Sequence, residues 1–285
     1  MRQSRYNYSK GKKGECNISD SKGRVYVVGI GPGGPDHITP AATKAIKDAD
    51  IIVGYKTYLD LIQDLITDKE VMSSGMRQEV DRCAKAVELA QSGKTVAVIC
   101  SGDPGIYAMA GLVFEVLSRQ QSAVSGQLND PPLTKGGQGG VIVEIIPGIP
   151  ALSACASRLG APLMHDFASI SLSDLLTPWE LIEKRLEAAA YADFVIVIYN
   201  PKSKGRPDHI AKAREIILKH RSPDTPVGIV KGATRENETV AVTDLQNMLN
   251  QEIDMQSTVI IGNSNTFIWN DRMVTPRGYD RKYKI

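Results

Sequence analysis

Short apolar runs alternate with amphipathic stretches along the first half of the chain, and this alternation predicts strands followed by helices. Residues 25–30 form a β-branched run typical of a buried strand. The stretch "TPAATKAIKDA" predicts a helix with Thr39 as N-cap and Pro40 at its first position. Strands are also predicted at 51–53, 70–72, "KTVAVIC" and "VIVEIIPG", and helices at "RQEVDRCAKAVELAQSG" and after "SGDPG". This order indicates an α/β fold with a mostly parallel sheet, and the β-branched "VIVEIIPG" is typical of a strand covered on both faces.

A second set of elements begins after Pro147. Strands are predicted at "ASISLSD", "DFVIVIYNP", "PVGIVKG", "TVAV" and "STVIIGNS", closely enough spaced to indicate mixed directions. The helix "TPWELIEKRLEAAA" is predicted to begin with a capping box of Thr177 and Glu180, with Pro178 between them. Further helices are predicted at "PDHIAKAREIILKH" and "TDLQNMLNQ".

Two α/β lobes account for these elements, one over residues 24–147 and one over 148–285, with a hinge between Pro147 and Phe167. Residues 1–23 are polar throughout and are expected to form a flexible leader. Residues 121–140 are rich in Gly, Pro, Ser and Gln, and we expect a mobile surface insertion there.

Composition and charge narrow the possible functions. Of 285 residues, 42% are hydrophobic and 23% are charged, which is ordinary for a folded protein. The formal net charge is only +2 and the basic residues are scattered, so general nucleic-acid binding is not indicated. No apolar run approaches the roughly 20 residues of a membrane span. The cysteines at positions 16, 83, 100 and 155 lie far apart, which indicates neither a metal site nor a disulfide scaffold.

The sequence "GIGPGG" matches the dinucleotide fingerprint G-x-G-x-x-G, but its surroundings argue against that function. Pro32 lies inside the motif and Pro35 directly follows it, and proline removes a backbone donor and restricts the residue before it. The predicted helix starts only after Thr39, whereas the fingerprint requires the helix to open at the third glycine. Asp50 precedes its strand, although the fingerprint places an acidic residue after it. A nicotinamide-dependent oxidoreductase is therefore disfavoured.

The stretch "SGKT" resembles the end of a phosphate-binding P-loop. That motif requires glycine at position 88, where this chain has Glu88, and it follows a strand, whereas this stretch precedes one. We interpret it as the end of a helix and the start of a strand.

Three glycine- and proline-rich loops follow predicted strands: "GPGGP", "SGDPGIY" and "PGIPALSA". Ligands of open α/β sheets bind at the carboxyl ends of strands, so these loops predict a site. For "SGDPGIY" alone, a purely structural role explains the sequence equally well, since Asp103 suits the N-cap and Pro104 the first position of a helix.

The chain resembles the tetrapyrrole methylase family. The resemblance rests on "VVGIGPGGPDHITPAATKAIKDADIIVGY", "SGDPGIYAMA", "PGIPALSACASRLGAPLMHDF", "SLSDLLTPWE", "YNPKSKGR" and "TVIIGNS", and it extends from Arg24 to about Arg277. It implies two α/β lobes with the ligand cleft between them, unlike Rossmann-type methyltransferases. It also implies a homodimer that binds S-adenosylmethionine, and the scattered cysteines fit a cytoplasmic location. The cofactor-binding residues it implies are Pro32, Ser101, Gly102, Asp103, Ile106, Pro150, Ala151, Asn200 and Ala233, with Asn200 standing where some relatives have methionine.

"SLSDLLTPW" and "YNPKSKGR" resemble members of this family that methylate C17 of a precorrin-3 macrocycle, with ring contraction, in cobalamin biosynthesis. The expected substrate is precorrin-3B or cobalt-precorrin-3. The alternatives are methylation at C11, at C20 or of uroporphyrinogen III, modification of a macromolecule, or a precorrin carrier without turnover.

Methyl transfer to an electron-rich ring carbon requires no protein nucleophile, so positioning is the protein's main task. Ring contraction also requires proton transfer, for which the candidates are Asp103, His165, Asp166 and Glu238, with a structural role favoured for His165. The carboxylates of such a substrate call for cations. The candidates are Lys202, Lys204, Arg206 and Arg235, together with Arg158 in the helix between the lobes.

Overall fold

The computed structural model describes residues 23–75, 78–125 and 140–284. Two five-stranded sheets carry the fold, and a three-stranded sheet is added near the end. The first part comprises β1 (Arg24–Gly29), α1 (Pro40–Asp48), β2 (Ile51–Tyr55), α2 (Lys56–Asp60), β3 (Glu70–Ser74), α3 (Glu79–Gln91), β4 (Thr95–Cys100), α4 (Ala110–Ser125) and β5 (Ile142–Ile146). The second part comprises α5 (Ala151–Leu159), β6 (Gly160–Ala161), β7 (Phe167–Ser171), α6 (Trp179–Tyr191), β8 (Val195–Tyr199), α7 (His209–Leu218), β9 (Pro226–Lys231), β10 (Thr239–Asp244), β11 (Ser257–Ile261), β12 (Phe267–Trp269) and β13 (Arg272–Val274).

The first sheet is parallel throughout, in the order β3-β2-β4-β1-β5. Its side chains alternate between two helical layers: Val25 and Val27 pack with α3 and α4, whereas Tyr26 and Val28 pack with α1. Because β4 lies between β1 and β2, the strand order differs from that of a dinucleotide-binding sheet, where β1 and β2 are neighbours. The topology therefore agrees with the rejection of the glycine fingerprint.

The second sheet is mixed, as predicted, in the order β10-β9-β11-β8-β7. β7 and β8 are parallel, while β11 is antiparallel to both of its neighbours, β8 and β9. β7, β8 and β9 therefore point in the same direction and end at the same edge. Helices α6 and α7 cover one face and α5 covers the other. β6, β12 and β13 form the small third sheet.

Most of the predicted strands and helices are confirmed, including the cap of α1, where the Ala42 N–H donates to Thr39 Oγ1 at 3.1 Å. The stretch "SGKT" is the end of α3 and the start of β4, as interpreted. Gly93 follows α3 with a φ of +92°.

The helix predicted at "TDLQNMLNQ" is wrong. β10 runs on to Asp244, and only a short 3-10 turn follows at Met248–Asn250. The Asp244 carboxylate accepts from the Asn247 N–H at 2.8 Å, and the Leu245 N–H donates to Thr225 O at 2.9 Å. A helix beginning at Thr243 would need the Asn247 N–H to donate to Thr243 O, but the Asp244 carboxylate binds that donor instead.

The capping box predicted for α6 is also wrong, although the helix itself is confirmed. Pro178 occupies the N-cap position and no side chain caps the helix. The helix starts one residue later than the box requires, so Thr177 and Glu180 no longer stand at the reciprocal positions.

β5 lies at the edge of its sheet, and its first four residues alternate between exposed and half-buried while Ile146 is buried. The expectation of a strand covered on both faces is therefore wrong. Helix α4 continues to Ser125, five residues into the predicted insertion at 121–140. Residues 126–139 and leader residues 1–22 lie outside the described part of the chain. The lobe boundaries themselves remain a prediction. No helix among the described residues is long and apolar enough to cross a membrane.

Candidate functional site

Two loops at the carboxyl edge of the first sheet are joined by their main chains. Gly31, after β1, and Gly102, after β4, exchange a pair of hydrogen bonds, with N–O distances of 3.2 and 2.7 Å. Their φ angles are +75° and +68°, a left-handed conformation that glycine adopts without strain. The loops after these neighbouring strands therefore form one continuous surface.

A third loop, after β5, closes against them. A Cβ on Gly148 would lie 2.2 Å from Gly102 O, and a Cβ on Gly29 would lie 2.6 Å from the same oxygen. Only residues without side chains allow the three main chains to approach this closely. Packing therefore explains Gly29 and Gly148, whereas Gly102 is explained by its left-handed backbone, since a Cβ there would meet no atom closer than 3.7 Å.

Asp103 ties two of these loops together and does not cap a helix. The N-cap role considered for it is wrong, because α4 begins only at Ala110. Its Oδ1 accepts from the Gly105 N–H at 2.8 Å, and its Oδ2 accepts from the Gly148 N–H at 3.2 Å. The carboxylate thus links the loop after β4 to the loop after β5.

The loop after β9 reaches the first sheet through Arg235. Its Nε donates to Pro32 O at 2.8 Å, and its Nη2 donates to Ser101 Oγ at 3.3 Å. The adjacent Thr234 Oγ1 accepts from the Gly34 N–H at 3.2 Å. These contacts bring the carboxyl edge of the second sheet to the carboxyl edge of the first.

Thr234 has a strained backbone, with a φ of +67°. This conformation is unusual for a β-branched residue and needs support from its surroundings. Glu238 Oε2 supplies it by accepting from the Thr234 N–H at 2.6 Å and from Arg158 Nε at 2.8 Å. Glu238 is a proton-transfer candidate and Arg158 is a substrate-binding candidate. In the structure the two form an ion pair, and Glu238 also stabilises the loop after β9.

Two tyrosines also join the two sheets. Tyr107 donates its hydroxyl to Ser169 O at 2.8 Å, and its ring centre lies 5.1 Å from that of Tyr199. The Tyr199 hydroxyl accepts from the Leu152 N–H at 2.8 Å, and burial raises the pKa of this phenol to about 12. Tyr107 and Asn200 have φ angles of +52° and +51°. Left-handed residues thus occur in loops from both sheets, as is common at functional sites.

The residues expected to bind the cofactor all lie in these loops or beside them. They are Pro32, Ser101, Gly102, Asp103, Ile106, Pro150, Ala151, Asn200 and Ala233. Asn200 follows β8 and donates its Nδ2 to Ser171 Oγ, at the end of β7, at 2.9 Å. Cys100 ends β4 nearby, but burial raises the pKa of its thiol to about 12, so it does not supply a thiolate nucleophile.

His165 and Asp166 lie elsewhere. They precede β7, whose five residues separate them from the carboxyl edge by about 16 Å. They line a polar surface cavity of about 250 Å³, together with Asp193, Asn263 and Arg281 among others. The structure therefore does not bring these two proton-transfer candidates to the other site residues.

The cations expected to bind substrate carboxylates differ in their surroundings. Lys202 and Lys204 are exposed in the loop after β8. Arg206 is largely buried and donates its Nη1 to Leu172 O at 2.9 Å. Within the described ranges, no three His, Cys, Asp or Glu side chains cluster to hold a metal ion.

Four functional residues were not singled out from the sequence: Tyr107, Tyr199, Thr234 and Gly148. Gly148 carried a signal, because "PGIP" repeats the glycine-proline pattern of the other two loops. The contacts of Tyr199 and Thr234 join residues distant in sequence and leave no local signal.

Comparison with known proteins identifies relatives over most of the chain. The family described as Tetrapyrrole (Corrin/Porphyrin) Methylases matches residues 24–249. A cobalt-factor III methyltransferase of Priestia megaterium is 55% identical over 266 residues, and this match covers 93% of the chain and 46% of that protein. A probable cobalt-factor III C(17)-methyltransferase of Salmonella typhimurium is 49% identical over 89% of the chain and 98% of that protein. The chain thus spans about half the length of the first relative and nearly all of the second.

Solved structures show the same arrangement. The methyltransferase CobJ is 35% identical, covers 89% of the chain and 100% of its own, and superposes with a TM-score of 0.80. A uroporphyrin-III C-methyltransferase of Thermus thermophilus, solved with S-adenosylhomocysteine, is 24% identical over 84% of the chain and 92% of its own. Its TM-score of 0.62 indicates a shared fold.

Proposed function

Because the chain belongs to the tetrapyrrole (corrin/porphyrin) methylases, we propose that it transfers a methyl group from S-adenosylmethionine to C17 of a precorrin-3 macrocycle, with ring contraction, in cobalamin biosynthesis. The similarity to the Salmonella relative carries this proposal, since it extends over nearly all of that protein. The names of the relatives favour a cobalt-containing substrate over metal-free precorrin-3B.

The site's residues fit a nucleoside sulfonium held between the two sheet edges. Glycine, alanine, serine and proline dominate the loops, so a ligand can reach main-chain N–H and C=O groups there. We propose Pro32, Ser101–Asp103 and Ile106 as contacts from the first sheet. From the second part of the chain we propose Pro150, Ala151, Asn200 and Ala233. The carboxylate of Asp103 provides negative charge near a ligand that carries a positive sulfur.

When bound, S-adenosylmethionine supplies an activated methyl group, which moves to an electron-rich ring carbon by in-line displacement as the S–C bond breaks. The chain's contribution is to fix donor and acceptor at attack distance. Three sets of hydrogen bonds hold the loops of the site in fixed positions. They join Gly31 to Gly102, Asp103 to the loop after β5, and Arg235 to the loop after β1. For the proton transfer of ring contraction we propose Asp103 or Glu238, because His165 and Asp166 lie beyond the far end of β7.

The proposed enzyme is a cytoplasmic homodimer with lobes at 24–147 and 148–285. The free thiols of Cys83, Cys100 and Cys155 are in keeping with a reducing compartment. Sedimentation equilibrium tests the dimer, and a monomeric mass would contradict it.

Anaerobic incubation of the purified protein with S-adenosylmethionine tests the activity. Cobalt-factor III, cobalt-precorrin-3 and precorrin-3B are offered separately, and product mass and absorption spectrum are followed. We expect one added methyl group and a changed chromophore with a cobalt-containing substrate. Methylation of uroporphyrinogen III or of a later precorrin instead, by protein that binds S-adenosylhomocysteine, would contradict the C17 assignment.

A further inference from the structure

The loop between β7 and α6 carries two exposed leucines beside the candidate site. Leu175 is 64% exposed and Leu176 is 98% exposed, the highest value among large apolar side chains in the described ranges. Single exposed apolar residues are ordinary on protein surfaces, but an adjacent pair at the tip of an ordered loop calls for an explanation.

Asp174 holds the base of this loop. Its carboxylate lies between Arg206, at 3.7 Å from Nε, and His209, at 3.6 Å from Nε2. Arg206 Nη1 and His209 Nδ1 both donate to Leu172 O, at 2.9 and 3.0 Å. The side chains of Arg206 and His209 are only 12% exposed and their polar atoms contact this loop, so they are poorly placed to bind a ligand.

The far end of the loop is fixed as well. The Trp179 indole stacks on the His209 ring, with 4.4 Å between ring centres, and donates its Nε1 to Glu183 at 2.6 Å. At the near end, Leu172 is fully buried in the core of the second sheet. A loop anchored at both ends presents its tip in one conformation, which lowers the entropy lost on binding.

The loop adjoins the candidate site through the ends of β7 and β8. Asn200 donates to Ser171, and Tyr107 donates to Ser169, so residues from both sheets contact the strand from which the loop emerges. The next loop along this edge carries Lys202 and Lys204. Both are exposed, and neither has a carboxylate partner among the residues that the structure describes.

We propose that this loop and its neighbour form the substrate-binding rim. Leu175 and Leu176 cover an apolar face of a large flat ring, and Lys202 and Lys204 pair with carboxylates at the ring's margin. An apolar pair beside two unpaired cations matches a tetrapyrrole, which is apolar across its plane and anionic at its periphery. Arg206, expected from sequence to bind these carboxylates, is instead a positioning residue that acts through Asp174. This inference rests on the proposed function and deepens it.

Binding of cobalt-factor III, followed by its absorption change in the presence of S-adenosylhomocysteine, tests the apolar part. Leu175→Ser with Leu176→Ser removes most of the apolar contact, and we expect the dissociation constant of cobalt-factor III to rise at least tenfold. Leu249→Ser is the matched control, since Leu249 is 40% exposed and lies after β10, at the opposite edge of the second sheet. Calorimetric affinity for S-adenosylhomocysteine is expected to stay unchanged in every variant, which shows that each one folds.

Lys202→Ala with Lys204→Ala tests the charged part. We expect about a fivefold weaker affinity and a smaller dependence of that affinity on salt, because exposed ion pairs are screened. Lys94→Ala serves as the control, since Lys94 is exposed and precedes β4 at the far edge of the first sheet. Unchanged affinity and salt dependence in the double variant would contradict the rim.

Arg206→Lys separates positioning from direct contact. A positioning role predicts weaker binding of cobalt-factor III with an unchanged salt dependence, and an effect that does not add to that of the leucine variant. Additive effects and a reduced salt dependence would show that Arg206 contacts the substrate itself and would overturn its assignment. Normal binding of cobalt-factor III by the Leu175→Ser, Leu176→Ser double variant, in protein whose wild type methylates cobalt-factor III, would overturn the inference and leave the proposed function standing. Failure of the wild type to bind any tetrapyrrole would remove the proposed function as well.

Discussion

Gly148→Ala tests whether close contact of three main chains builds the site. The φ of Gly148 is not in the left-handed region, so alanine meets no backbone strain there and the effect is steric. The added Cβ would lie 2.2 Å from Gly102 O and 2.8 Å from the Gly29 carbonyl atoms. These are backbone atoms held in β1 and in the Gly31–Gly102 pair, and they cannot rotate away as a side chain would.

Restoring ordinary contact requires the loop after β5 to withdraw by about 1 Å. Overpacking of this kind costs about 1–3 kcal/mol, and clashes with fixed backbone atoms belong at the upper end of that range. The withdrawal also lengthens the hydrogen bond from the Gly148 N–H to Asp103, already 3.2 Å. We therefore expect the free energy of unfolding in urea to fall by about 3 kcal/mol. The dissociation constant of S-adenosylhomocysteine is expected to rise at least tenfold, which is about 1.4 kcal/mol.

Gly111→Ala is the matched control. Gly111 lies in the first turn of α4, and a Cβ there would meet no atom within 4 Å. Alanine in a helix is favoured over glycine by up to about 1 kcal/mol, so stability should be equal or higher. Wild-type stability and wild-type affinity for S-adenosylhomocysteine in Gly148→Ala would refute the steric reasoning.

Three further predictions concern residues at the same edge. Arg235→Lys cannot maintain both contacts, to Pro32 O and to Ser101 Oγ, and calorimetry should show S-adenosylhomocysteine binding about tenfold more weakly; an unchanged affinity would separate Arg235 from the site. Asp103→Asn leaves one acceptor oxygen for two backbone N–H groups, so urea unfolding should show a loss of about 2 kcal/mol, whereas no loss would show that the link is dispensable. Burial raises the pKa of the Cys100 thiol from 9.0 to about 12, so iodoacetamide at pH 8 should label this thiol only after unfolding. Because the pKa of this thiol is higher in the folded than in the unfolded protein, its contribution to the free energy of unfolding is present below pH 9. That contribution is lost as the pH rises towards 12. Labelling of Cys100 in the native protein, or stability that is flat over that pH range, would contradict its burial.

Local sequence pattern predicted the elements well, because buried parallel strands and capped helices leave local signals. The β-branched run of β1 and the Thr39 cap of α1 are examples. The predictions that failed concern the turn after Asp244, the cap of α6 and the covering of β5. The turn after Asp244 looks helical in sequence, but the Asp244 carboxylate binds the Asn247 N–H that a helix would use.

The site was predictable in its loops and not in its connections. Strand ends followed by glycine and proline mark the edge, and the same rule would have placed His165 and Asp166 on the opposite side, since they precede a strand. The pairing of Arg158 with Glu238, 80 residues apart, and the left-handed Thr234 that it supports depend on the assembled fold. The role of Arg206 also depends on the assembled fold. Its position in a loop after a strand predicts a free guanidinium, but in the structure this group contacts the Asp174 carboxylate and donates to Leu172 O.

Transfer of a carbon-13 methyl group shows directly which ring carbon this protein methylates. The protein is incubated anaerobically with methyl-labelled S-adenosylmethionine and cobalt-factor III, and the labelled carbon of the product is located by NMR. We expect one label, at C17 of a contracted ring. A label at C11 or C20, or no label in the product of protein that binds both ligands, would contradict this expectation.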